Sequence, residues 1–182
     1  MKKPHWNKEN QQIYLLLKDM LQVDPHRFGL TVDDFGAVAI EDLALAASRQ
    51  IPWITAEHIM EISLAPHSDL IIEDDFVRFS AGYQFPVIYP RPVVPPLKLF
   101  IAINPLLVNS WRLTGAKPLL KRFLRLFASE DESWHFTTTV ENITSPEIVF
   151  VAALKAHQAG IEFLQHERTY YCKFIPLQFL SF

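Results

Sequence analysis

The sequence predicts an α+β protein of two lobes: a winged-helix N-terminal lobe and a mixed α/β C-terminal lobe. Three observations predict it. Five prolines crowd residues 86–96, which disfavours helix and favours a stiff, extended connector. Before them come three short helical patterns, then two apolar runs separated by an acidic turn. After them, apolar runs of strand length recur with a helix-like stretch between. The expected boundaries are 1–85 for the first lobe, 86–96 for the connector and 97–182 for the second lobe.

Asn7 is placed to cap a first helix running to about residue 21, with Ile13, Leu16, Leu17, Met20 and Leu21 on one face. Asp33-Asp34-Phe35-Gly36 reads as a turn. A second helix covers 40 to about 48. Thr55 caps a third that turns Ile59, Met60 and Ile62 inward. Residues 70–72 and 76–79 flank Glu73-Asp74-Asp75 as a hairpin. Three helices followed by a hairpin wing make a winged helix. In the second lobe, 97–103, 121–127, 148–152 and 170–174 read as strands, and 105–111 begins a helix.

Bulk properties exclude several function classes. With 182 residues, 49% of them hydrophobic and 14 of them phenylalanine, the chain can bury real cores. No apolar run approaches the ~20 residues that span a bilayer, and the polar stretch after Met1 offers no signal core. The single cysteine, Cys172, excludes an internal disulfide and reads as a small buried hydrophobe. These features point to a cytoplasmic protein with no membrane partner. Five glycines with no phosphate-loop spacing argue against a P-loop or Rossmann site. The seven histidines lack metal-ligand spacing, so no metal site is expected. The net charge of −3 divides unevenly: −6 on residues 1–85 and +3 on 86–182. Nucleic acid or a pyrophosphate would favour the second lobe, and the acidic first lobe opposes duplex DNA.

One stretch carries more information than the rest. It holds Asp24-Pro25-His26-Arg27-Phe28-Gly29-Leu30, Asp33-Asp34-Phe35-Gly36-Ala37-Val38, Ile54-Thr55-Ala56-Glu57-His58-Ile59, and Val77-Arg78-Phe79-Ser80-Ala81-Gly82-Tyr83-Gln84. In order and spacing this resembles the N-terminal lobe of the KptA family of RNA 2'-phosphotransferases. The likeness continues, with fewer identities, through Leu99-Phe100-Ile101-Ala102-Ile103-Asn104, Gly115-Ala116-Lys117-Pro118, 121–127, Ala156-His157, Gly160, Phe163 and Ile175-Pro176. It implies an ADP-ribosyltransferase-like second lobe, NAD as co-substrate and RNA bearing a 2'-phosphate as partner. In that chemistry the RNA phosphate attacks the nicotinamide-bearing carbon of NAD, and a ribose hydroxyl then frees the RNA.

Because the substrates are polyanionic, the family relies on arginine and histidine. The resemblance puts Arg78 and Lys18 at first-lobe positions of this kind and Lys121 at a second-lobe one. These three are the candidate catalytic groups, and Arg125, Arg122 and Lys117 the candidate cofactor-binding ones. Arg112 extends that basic run. Arg78 also reads as a wing arginine paired with Asp74 or Asp75. The pattern departs from the family elsewhere. Ile101 stands where the family has the histidine that anchors the ADP-ribose end of NAD. Ala102 stands where a glycine permits close backbone approach. Two functions follow as expectations. One is a divergent RNA 2'-phosphotransferase, weak or inactive. The alternative is a non-catalytic pseudoenzyme whose basic interlobe cleft holds a nucleotide, an RNA end, another phosphate-bearing ligand or a protein partner.

Overall fold

A computed structural model describes residues 7–66, 68–119 and 121–182. The protein is a mixed α+β fold with two antiparallel sheets, and it divides into two compact units, Met1–Ile88 and Tyr89–Phe182.

The first unit opens with α1 (Lys8–Lys18), where Asn7 Oδ1 accepts from the Asn10 amide at 2.6 Å and the expected cap forms. The helix does not run to residue 21. Its hydrogen bonding widens into a π-turn, Asp19–Val23, which buries Met20, Leu21 and Gln22 in succession. Asp24 then caps the short turn Pro25–Phe28, closed by Gly29. Asp33 Oδ1 accepts from the amides of Phe35 and Ala37 at 2.9 and 2.8 Å, so the side chain itself builds the turn through Gly36.

The chain next forms β1 (Val38–Ala39), α2 (Ile40–Ser48) and α3 (Ala56–Leu64). Thr55 and His58 make a capping box at the start of α3. Ile59 and Ile62 turn inward as expected, but Met60 is 38% exposed, because only one stripe of so short a helix meets the core. β2 (Leu70–Glu73) and β3 (Phe76–Phe79) form the expected hairpin. β1 pairs on the far edge of β3, giving the order β1-β3-β2. Ile13, Leu17, Leu43, Ile59, Val77 and Phe79 are fully buried in one cluster, each contributing about 1.5–3 kcal/mol.

In the second unit Arg91 and Pro92 make the short strand β4. It is followed by β5 (Leu99–Ile103), α4 (Val108–Thr114), β6 (Leu124–Phe127), α5 (Glu130–Thr139) and β7 (Glu147–Val151). Then come α6 (Ala153–Gln158), β8 (Leu164–His166), β9 (Thr169–Cys172) and β10 (Leu180–Ser181). The sheet order is β10-β7-β5-β6-β9-β8-β4, with every pairing antiparallel. Proline sits on the β4 edge, where a missing N–H breaks no central ladder.

The centre of this sheet is split. β5 pairs with β7 over five residues but with β6 only at Phe100↔Phe127. One edge of β5 beyond Phe100 is therefore left to α5.

Cys172 is fully buried in β9, and burial pushes its thiol far above the ordinary range. The expected result is no labelling by iodoacetamide at pH 8 in the native state and full labelling in denaturant. Rapid native labelling would contradict this packing.

Candidate functional site

In β3, alternation sends Val77 and Phe79 into the core and leaves Arg78 on the other face, opposite Ile71 of β2. Arg78 Nη2 lies 3.4 Å from Glu73 Oε1, and Nη1 lies 3.4 Å from the Phe79 carbonyl oxygen. Both are long beside the roughly 2.7–2.9 Å of a good charge-assisted bond. The acid beside Arg78 is thus Glu73, across the hairpin, rather than Asp74 or Asp75 in its turn. Arg78 Nε is buried and has no hydrogen-bond partner among the described residues. Lys18 is exposed in the last turn of α1, where a cation suits the helix dipole.

In the second unit, Leu99, Ile101 and Ile103 point from β5 into the core, against residues that include Val108, Trp111 and Phe163. Ile101 is 7% exposed and faces Val149 of β7. On the split edge of β5, Ser133 Oγ accepts from the Ala102 amide at 2.6 Å, and Thr137 Oγ1 donates to the Ala102 carbonyl at 3.2 Å. Ser133 and Thr137 are one turn apart on α5 and buried. They take up both backbone groups of Ala102. Neither was singled out from the sequence. The available signal is Ser129 followed by Glu130, Asp131 and Glu132, a helix start with acids in its first turn. The low apolar content of α5 hides the helix from a periodicity reading.

The basic run is largely engaged. Arg125, on β6, holds its guanidinium 4.2 Å from the Phe136 ring centroid and 5.9 Å from that of Tyr171. Arg122 is 6% exposed and lies over Phe123. Lys121 Nζ is 3.8 Å from Glu141 Oε1 at the surface, a pairing worth about 0–1 kcal/mol. Arg112 lies over the Phe182 ring, and Lys117 is exposed. A cavity of about 310 Å³ opens beside α5. Its lining includes Phe127, Phe136 and the Glu132–Arg168 ion pair, and none of Lys117, Lys121, Arg122 or Arg125. The four second-lobe candidates thus lie outside the lining of this cavity.

Among the described residues no group of three or more His, Cys, Asp and Glu could hold a metal ion; His5 and His67 lie outside them. No described helix is long and apolar enough to cross a membrane.

No family model matches the chain. Comparison with known proteins finds relatives carrying one name, "Probable RNA 2'-phosphotransferase". The one from Pyrococcus horikoshii is 35% identical over 123 residues, covering 66% of this chain and 69% of the relative. The one from Pyrococcus abyssi is 26% identical over 123 residues, 66% of this chain and 67% of the relative. The one from Rhizobium rhizogenes is 24% identical over 175 residues, 93% of this chain and 92% of the relative.

Proposed function

The chain belongs to the RNA 2'-phosphotransferase family, and from that premise we propose that it is a divergent member that binds a phosphate-bearing RNA end without performing NAD-dependent phosphate transfer. In this reading the first unit is a winged-helix lobe and the second an ADP-ribosyltransferase-like lobe. The single observation that carries it is the state of β5. At the position of the family's NAD-anchoring histidine, Ile101 offers no hydrogen bond and is enclosed in the core. At the neighbouring glycine position, Ala102 adds a methyl group, and Ser133 and Thr137 occupy its N–H and C=O. In this reading Ile101 and Ala102 do not supply the contacts to NAD that the resemblance assigns to their positions.

Each charge-assisted contact forgone costs about 1.5–3 kcal/mol. Two together would slow transfer by roughly 10²–10⁴-fold. Arg125 does not compensate, because its guanidinium is stacked on Phe136.

Arg78 supports retained binding of the phosphate. Its guanidinium is loosely held by Glu73, and its Nε is a buried donor without an acceptor. A phosphate oxygen would satisfy that donor and replace a long ion pair by a short, forked one. Lys18 and Lys117 are exposed cations that add unspecific attraction for the RNA backbone. The −6 charge on residues 1–85 disfavours duplex DNA.

The test is fluorescence anisotropy with a short RNA carrying an internal 2'-phosphate, at fixed salt. Arg78→Ala is expected to weaken binding about 10- to 100-fold and to leave unphosphorylated RNA nearly unchanged. Equal binding of both RNAs by the wild type would contradict the reading.

A further inference from the structure

Gln22 has no role in the account so far. It sits in the π-turn after α1 and is 5% exposed. Its Nε2 donates to the Ala81 carbonyl, and its backbone carbonyl accepts from the Gln84 amide at 2.7 Å. Gln22 therefore holds both ends of the segment that follows Arg78. Its Oε1 is buried and has no hydrogen-bond partner among the described residues. A buried amide oxygen left this way is costly and calls for a donor.

The complementary orphan is nearby in the chain. Arg78 Nε, a donor without an acceptor, lies three residues before Ala81. Three residues span at most about 11 Å, so Arg78 stands close along the backbone to the Ala81 carbonyl that Gln22 Nε2 holds. A ribonucleotide offers the matching pair: a phosphate oxygen that accepts and a ribose hydroxyl that donates. The 2'-hydroxyl is the group that distinguishes RNA from DNA at a binding site. Ser80, Ala81 and Gly82 are exposed, Gly82 has φ +88°, and a Cβ there would lie 2.9 Å from Gln22 Nε2. Gly82 thus lies against the Gln22 amide, and a ligand reaches the buried Oε1 only by displacing this segment.

We infer that Gln22 is a specificity residue whose Oε1 accepts a hydrogen bond from a ribose 2'-hydroxyl beside the phosphate held by Arg78. This rests on the RNA-binding reading above. The probe is a 2'-phosphorylated RNA hexamer, compared with the same hexamer carrying deoxyribose on both sides of the phosphorylated nucleotide. Wild-type protein is expected to bind the all-ribose form about 5- to 10-fold more tightly. Gln22→Met is expected to bind both forms equally, with phosphate dependence retained. The wild-type preference needs no variant, so a poorly folded Gln22→Met leaves the test intact. Equal wild-type binding of the two hexamers, with Arg78→Ala still weakening both, overturns the role of Gln22 and leaves the RNA-binding reading standing. Preference retained in Gln22→Met also overturns it. Absence of any phosphate-dependent binding overturns both.

Discussion

Ile101→His is expected to destabilise the second unit by about 2–4 kcal/mol and to restore no NAD chemistry. The substitution introduces the residue type that the resemblance to the family implies for this position. If β5 lined an open site, the imidazole would meet water or ligand and the cost would be small. Instead Ile101 is 7% exposed, shares a core with Leu99 and Ile103, and faces Val149 across the sheet. An imidazole there brings two ring nitrogens into an apolar cluster and gives up the packing of the isoleucine. Next to it, the Ala102 peptide remains held by Ser133 and Thr137. Urea unfolding of the variant checks the cost. A stable variant that gains NAD-dependent turnover would mean that only the missing histidine separates this chain from an active enzyme.

Gly36→Ala carries the largest expected effect in the first unit, about 2–4 kcal/mol. Gly36 has φ +79°, and a Cβ on it would lie 2.6 Å from Cζ of Tyr83. That ring is not free to yield. The Tyr83 hydroxyl accepts from the Phe79 amide at 2.8 Å and lies 3.1 and 2.9 Å from the carbonyl oxygens of Gly36 and Phe79. Displacing Tyr83 loosens the backbone at Phe79, next to Arg78. Gly29→Ala separates the two causes. Gly29 has φ +74°, but a Cβ there meets nothing within 4 Å, so it should cost only about 1–2 kcal/mol, the backbone strain alone. Equal losses from the two substitutions, measured by urea unfolding, would remove the Tyr83 contact from the explanation.

Much of the first unit was legible because its signals are local. Asn7 and Thr55 cap the helices they were expected to cap, and the hairpin turns where the acidic run was expected, at Asp74-Asp75, with Glu73 already paired in β2. The π-turn at Asp19–Val23 was not legible, since Met20 and Leu21 fit either an α-helix or a wider turn. β1 escaped because two residues cannot show alternation. In the second unit the strands at 148–152 and 170–174 appear as β7 and β9, whereas the strand expected over 121–127 begins only at Leu124. Lys121 and Arg122 therefore precede the strand, and their environments follow from tertiary packing that spacing does not encode. The same holds for Ser133 and Thr137. Their partner is the backbone of Ala102, more than thirty residues away in sequence.

The most direct test of the central claim is one incubation. Purified protein is mixed with NAD and an RNA bearing an internal 2'-phosphate, and the RNA is followed for phosphate loss and for an ADP-ribosylated intermediate. The account predicts RNA that is bound through Arg78 and recovered unchanged, with neither product formed at high protein concentration. Phosphate release that depends on NAD and disappears in Arg78→Ala would contradict it, and would mean that the chain performs its family's reaction with Ile101 in place of the histidine.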